Sequence, residues 1–223
     1  MIIVVGGIKG GSGKTTVATN LTIIRAAQKR DVLLIDADDQ ETSTDFTTLR
    51  NERLPNGAGY TGIKLTGAAV RTETLRLVPK YDDIVIDTGG RDTTSQRAAM
   101  TVADLLLIPF VPRSFDVWTL EKVSSLVVEM RAANPMMKVC AFLNRADHRG
   151  QDNADAANVI RETGALTFIN TPLGTRKAFS NAAAQGLAVT ELKSPDVKAI
   201  EEMLALFEYI FDIKNISRLS SEV

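Results

Sequence analysis

The chain of 223 residues balances 26 Lys and Arg against 27 Asp and Glu, a formal net charge of −1, with 44% hydrophobic and 24% charged residues. This is ordinary globular composition and excludes a disordered chain; it also excludes attraction to nucleic acid or acidic lipid by the overall field, so such binding needs a local patch or one made by assembly. The single cysteine, Cys140, excludes an intramolecular disulfide and a Cys-rich zinc site.

No apolar run approaches the roughly 20 residues of a membrane span, and the opening Met1-Ile2-Ile3-Val4-Val5-Gly6-Gly7 lacks the basic stretch of a signal peptide. The expected setting is the cytoplasm. In chain order, short runs rich in Val, Ile and Leu at 2–5, 32–35, 84–86, 105–108 and 139–143 are apolar nearly throughout and bounded by Gly, Pro, Asp or Asn. Such runs read as strands buried on both faces of a parallel sheet. Weaker strand patterns occupy 60–65 and 166–169. Helical patterns cover 14–29, 41–50, 92–103, 115–133, 153–163, 175–185 and 196–213. The alternation predicts a single α/β domain over 1–223, a mostly parallel twisted sheet with helices on both faces. No helix-turn-helix domain is expected before the first strand. Ligands of such sheets bind at the C-terminal ends of strands, which makes the residues after each strand the ones to read.

After the first strand comes Gly6-Gly7-Ile8-Lys9-Gly10-Gly11-Ser12-Gly13-Lys14-Thr15-Thr16, with a helix opening at its end. Gly7 and Gly13 flank the run and Lys14-Thr15 follows, which reads as a Walker A spacing. Glycines let the backbone curl so that several N–H groups point into one concavity, and the helix N-terminus adds its dipole. Gly10, Gly11, Ser12, Gly13, Lys14, Thr15 and Thr16 are therefore the expected phosphate cradle. Lys14 would reach the β- and γ-phosphates, and the Thr15 hydroxyl would ligate Mg²⁺. Asp36 and Asp87 end apolar strands on the same side of the sheet and are expected to hold Mg²⁺ through waters, because that ion keeps part of its hydration shell.

The run Lys9-Gly10-Gly11-Ser12-Gly13-Lys14-Thr15-Thr16 resembles the deviant Walker A of the ParA/MinD family of ATPases, most of all a small plasmid-type partition ATPase. The resemblance continues through most of the chain. Residues 32–40, ending Asp36-Ala37-Asp38-Asp39-Gln40, are similar to the family's Asp-x-Asp-Pro-Gln motif. The stretch Tyr81-Asp82-Asp83-Ile84-Val85-Ile86-Asp87-Thr88 is similar to its Walker B strand. Pro109 to Asp116 resembles its Pro-x-x-Pro-Ser-x-x-Asp loop. Arg176-Lys177-Ala178-Phe179 and Gly186-Leu187-Ala188-Val189-Thr190-Glu191 resemble its last block. Two departures stand out: Asp39 replaces the proline after Asp38, and Thr88-Gly89-Gly90 replaces Thr-Pro-Pro.

What the resemblance implies is a P-loop ATPase that binds ATP and Mg²⁺ and closes into a homodimer with ATP sandwiched between the subunits. Lys9 would reach the partner's phosphates, Asp38 would orient or polarise the attacking water, and Asp116 would hold Lys9 when the site is not engaged. Asn144-Arg145-Ala146-Asp147 carries two implied readings, the adenine contact of ParA-like proteins at Asn144 or the guanine reader of GTPases with Arg145 in the lysine position. The implied dimer binds DNA without sequence preference, is nucleoid-associated in the cytoplasm, and hydrolyses slowly until stimulated by a ParB-like or other adaptor. Its cargo would be a plasmid or a protein assembly such as a carboxysome or a chemoreceptor cluster. Two alternatives stay open: a metabolic or assembly ATPase on the same fold, and a transfer-associated DNA-binding protein with little turnover.

Candidate DNA contacts are Arg145, Arg149, Arg161, Arg176, Lys177, Lys193 and Lys198. The C-terminal stretch does not read as a membrane-binding basic helix. Its residues Ile200, Met203, Leu204, Leu206, Phe207, Ile210 and Phe211 form a stripe expected to pack on the core. Cys140 and Trp118 are likewise expected to pack, and His148 to be a surface loop residue.

Overall fold

The computed structural model describes residues 1–112, 117–147 and 151–212. Asp116, His148 and Arg149 lie outside the described residues. Among those described, eight strands form one sheet: β1 (Ile2–Val5), β2 (Val32–Ala37), β3 (Thr61–Lys64), β4 (Asp83–Thr88), β5 (Leu105–Phe110), β6 (Lys138–Ala146), β7 (Thr167–Phe168) and β8 (Leu173–Gly174). The order is β3-β2-β4-β1-β5-β6-β7, with β8 paired to β6, and every pairing is parallel. The expected parallel sheet is observed.

Consecutive side chains of a strand leave on opposite faces. Val4, Leu33, Ile86, Leu106 and Ile108 enter the core on one face, under α3 (Ala69–Leu77), α4 (Thr94–Met100), α5 (Val117–Ala133) and α6 (Asp152–Glu162). Val5, Leu34, Val85, Leu107 and Phe142 enter the other, under α1 (Lys14–Ala27), α7 (Lys177–Ala183) and α8 (Val197–Phe211). Both faces are covered, which is why the strand runs are apolar throughout. Each such buried side chain contributes about 1.5–3 kcal/mol of burial free energy. The α8 stripe packs as expected, with Met203, Leu206, Phe207 and Ile210 buried. Cys140 is buried, and burial pushes its thiol up to about 12. Trp118 departs from expectation: it stands on the outer face of α5 and is 76% exposed.

Helix α2 (Thr42–Arg53) is joined to the 186–191 segment by one buried cation. Arg50 donates from Nε to the Ala58 carbonyl at 2.8 Å and from Nη1 to the Gly186 carbonyl at 2.8 Å. Its Nη1 and Nη2 also form a two-pronged pair with Glu191 at 2.7 and 2.8 Å. Helix α3 was not expected from the sequence. Its segment buries only Val70 and Thr74, a stripe one residue wide at i and i+4, too thin to register as amphipathic.

Candidate nucleotide site

β1 delivers the glycine-rich loop from the middle of the sheet. Gly13 takes φ 87°, a left-handed conformation that glycine adopts without a Cβ penalty. Helix α1 then starts with no side-chain cap and no acid in its first turn. Its first N–H groups are left for an anion, and the helix dipole favours one there. In a strict G-x-x-x-x-G-K-T run the first glycine would fall at Ile8, not Gly7; Gly7 instead donates its N–H to Gln96 Oε1 at 3.2 Å. The Lys14 ammonium is folded onto the loop, donating to the Lys9 carbonyl at 3.1 Å. Burial holds its pKa below the usual lysine value, with Asp87 and Asp38 pulling the other way.

Asp36 and Asp87 are direct register partners on β2 and β4, so both carboxylates point to the α1 side of the sheet. Asp87 Oδ2 accepts from Thr15 Oγ1 at 2.7 Å and from Ser43 Oγ at 2.6 Å. Asp87 Oδ1 is buried with no hydrogen-bond partner among the described residues. Burial pushes this carboxyl up to about 7 against the two hydroxyls, with Asp36 adding to the rise and Lys14 opposing it. A buried carboxylate oxygen without a donor is costly unless a cation or its water satisfies it. Hard oxygen donors suit Mg²⁺, so Asp87 and the Thr15 hydroxyl fit the expected ion.

Asp36 is engaged differently. Its Oδ1 accepts from the Asp38 N–H at 3.1 Å, and its Oδ2 accepts from both the N–H and the Oγ1 of Thr44 at 2.8 Å. It thus caps α2 from a neighbouring strand, where the residue before the helix, Glu41, provides no cap. Both of its oxygens are occupied before any metal is considered.

Asp38 lies half-buried at the rim, with Oδ1 accepting from the Gln40 N–H at 3.2 Å. The two glycines that depart from the family pattern meet this region directly. A Cβ on Gly89 would lie 2.9 Å from Asp38 Oδ1, and one on Gly90 would lie 2.5 Å from the Gly10 Cα. Thr88 Oγ1 lies 3.0 Å from Gln96 Oε1, the same oxygen that Gly7 uses, so Gln96 ties the Walker B strand and α4 to the start of the phosphate loop.

These elements enclose a cleft of about 730 Å³ lined by residues of the loop together with Asp38, Asp39, Gly89, Gly90, Arg91 and Arg145. Asn144 does not itself line this cleft. The side chain is 7% exposed, its Nδ2 donates to the Ser12 carbonyl at 2.7 Å and its Oδ1 accepts from the Arg145 N–H at 3.0 Å. β6 ends beside Gly13, which turns the amide onto the loop. Arg145 is exposed, in a left-handed conformation at φ 54°.

Among the candidate DNA contacts, Arg176 is committed elsewhere: its Nε donates to Glu202 at 2.9 Å and its Nη2 to the other oxygen of the same carboxylate. Arg161 stacks on Phe168 with the guanidinium carbon 4.5 Å from the ring centroid. Lys177, Lys193 and Lys198 are exposed. The residues that sequence reasoning missed are Ser43, Thr44, Arg50, Arg91 and Gln96. Ser43 and Thr44 sit in a hydroxyl-rich run, Thr42-Ser43-Thr44, in which nothing local distinguishes them.

A phosphate loop at the end of a central parallel strand, with a Walker B aspartate bonded to its threonine, defines a P-loop nucleotide-binding protein of the α/β class. The chain belongs to the CobQ/CobB/MinD/ParA nucleotide-binding domain family, whose model matches residues 3–189, and it is of the ParA/MinD type, whose members are ATPases. It is 31% identical over 196 residues to maintenance of carboxysome distribution protein A of Gloeobacter kilaueensis, covering 86% of this chain and 85% of that one. It is 25% identical over 203 residues to the protein of the same name from Halothiobacillus neapolitanus, covering 90% and 92%. A plasmid partition protein of Borrelia burgdorferi, bound to AMPPNP, shares the fold with a TM-score of 0.72 at 19% identity, covering 94% of this chain and 99% of that one.

Proposed function

We propose that this chain is a Mg²⁺-dependent ATPase whose ATP-bound homodimer, joined through Lys9, rides on nonspecific DNA and is released when a cargo-bound adaptor stimulates hydrolysis. The observation that carries the reading is the convergence of Lys14, Thr15 and Asp38 on one cleft, with Asp87 buried directly behind Thr15 and Lys9 in the same loop. The two relatives named for carboxysome distribution support an intracellular protein assembly as cargo, and the partition protein supports a plasmid.

The residues divide the work of phosphoryl transfer into positioning and charge neutralisation. Loop N–H groups and the start of α1 would hold the phosphate oxygens. Lys14 would leave the Lys9 carbonyl and turn to the phosphates. Thr15 and Asp87 would hold Mg²⁺, with Asp36 close by on β2, and the ion would supply neutralising charge when bound. Asp38, backed by Gly89, would accept a hydrogen bond from the attacking water and orient it. DNA binding would run through phosphate contacts and weaken steeply with salt, with Lys177, Lys193 and Arg176 as candidates, Arg176 being already paired with Glu202.

The test is co-sedimentation with random-sequence DNA at moderate salt, with ATP, with ADP and without nucleotide, beside Lys9→Ala. Binding that needs ATP and is lost in Lys9→Ala is the expected result. ATP binding with no DNA binding in any state would overturn the DNA-carrier reading.

A further inference from the structure

We propose that Arg91 is a further cation, beside Lys14, that engages the terminal phosphate of the bound nucleotide, an assignment that rests on the nucleotide-hydrolase reading above. Two arginines follow β4, Arg91 three residues after its end and Arg97 within α4, and the structure treats them in opposite ways. Arg97 is locked: its Nε and Nη2 bond both oxygens of Asp92 at 2.7 and 2.8 Å, and its Nη1 bonds Glu129 at 2.5 Å. Arg91 is exposed and makes no hydrogen bond or ion pair among the described residues. It lines the nucleotide cleft together with Lys14 and Thr15. It also lines the adjoining cavity of about 680 Å³ that contains Lys9.

The backbone that carries Arg91 has little freedom to swing away. Gly90 is laid against Gly10, and Gly89 against Asp38. Arg91 therefore enters the cleft beside the residues placed at the hydrolytic end. Arg145, the other arginine lining the cleft, follows Asn144 at the Gly13 side. A triphosphate gathers negative charge at its terminal group, and a guanidinium fork matches two phosphoryl oxygens at once. A free fork held by a glycine pair at that end suits this task, while the paired Arg97 fixes the segment that presents it. Binding of the terminal phosphate by Arg91 would also tie the 89–91 segment to the nucleotide state, so that this wall of the cleft distinguishes ATP from ADP.

The experiment is equilibrium titration of the full chain with MgATP and MgADP, with single-turnover hydrolysis of ATP, for the wild type, Arg91→Ala and Arg91→Lys. Because Arg91 is exposed and has no partner among the described residues, thermal unfolding of both variants should match the wild type. Arg91→Ala is expected to weaken MgATP by about tenfold or more and MgADP by less than about twofold, the loss of one charge-assisted contact to the terminal phosphate. Hydrolysis should fall with it, and Arg91→Lys should recover part of both. A variant that keeps the wild-type preference for ATP and the wild-type rate would overturn the assignment, as would an equal loss for both nucleotides. A wild type that binds neither nucleotide would overturn the hydrolase reading itself and the assignment with it.

Discussion

Gly90 stands against Gly10 with no room for a side chain between them. A Cβ there would lie 2.5 Å from the Gly10 Cα and 2.6 Å from its nitrogen, and both are backbone atoms that cannot rotate aside. The segment after the Walker B strand and the phosphate loop are therefore in direct backbone contact. The glycine pair that replaces prolines is what permits this approach. Gly90→Ala should separate the two segments or strain them by about 1–3 kcal/mol, the usual range for overpacking. The expected result is a loss of ATP hydrolysis larger than the loss of thermal stability. Wild-type turnover in Gly90→Ala would show that this contact is not needed for the reaction.

Asp87 makes the nucleotide-free protein sensitive to pH in a defined direction. Its folded carboxyl titrates at about 7, whereas an unfolded aspartate titrates at about 4. Between these values the folded state binds the extra proton. Its contribution to stability is full below about pH 4, falls as pH rises, and levels off above about 7. Thermal unfolding in EDTA from pH 5 to 8 should show this decline, and Asp87→Asn should flatten it. Mg²⁺ and nucleotide at pH 8 should stabilise the wild type more than Asp87→Asn. A wild-type curve with no decline over this interval would contradict the assignment.

The sheet could be read from the chain because its strands are buried on both faces, so apolar runs such as 105–108 carry the signal without any knowledge of their neighbours. The phosphate loop could be read because its chemistry lies in consecutive residues. What could not be read depends on partners far along the chain. Ser43 and Asp87 are 44 positions apart and Arg50 and Glu191 are 141 apart. Only the parallel pairing of β2 with β4 shows that Asp36 stands beside Asp87. The resemblance implies a base contact for Asn144, but no local pattern shows that β6 ends beside Gly13 and turns the Asn144 amide onto the Ser12 carbonyl. Nothing local to Arg176 shows that α8 brings Glu202 to it, 26 positions along the chain.

Arg50 joins α2 to the 186–191 segment, and its side chain is 6% exposed against 32% for Glu191. Removing one member of a buried pair costs about 3–5 kcal/mol, and the partial exposure of Glu191 lowers the expectation for Arg50→Ala to about 2–4 kcal/mol. Arg50→Lys should recover little, because an ammonium cannot reproduce the fork or reach both carbonyls. Glu191→Gln should cost less, since Arg50 keeps its bonds to Ala58 and Gly186. Urea unfolding of the three variants checks the order. A loss below about 1 kcal/mol in Arg50→Ala would mark the pair as a surface ion pair in effect.

Asn144 separates two kinds of nucleotide recognition. If its task is to brace the phosphate loop, as its bond to the Ser12 carbonyl indicates, then Asn144→Ala loosens the loop for every nucleotide alike. Loss of one buried hydrogen bond of about 1 kcal/mol corresponds to roughly a fivefold weakening. That factor should be the same for MgATP and MgGTP. Asn144→Asp should be worse, because it sets a carboxylate against a carbonyl oxygen. If the side chain instead reads the base, Asn144→Ala will lower the affinity for one nucleotide and leave the other unchanged. Competition of unlabelled ATP and GTP against one fluorescent nucleotide, for wild type and both variants, distinguishes the two. Equal losses support the brace, and a loss confined to one base overturns it.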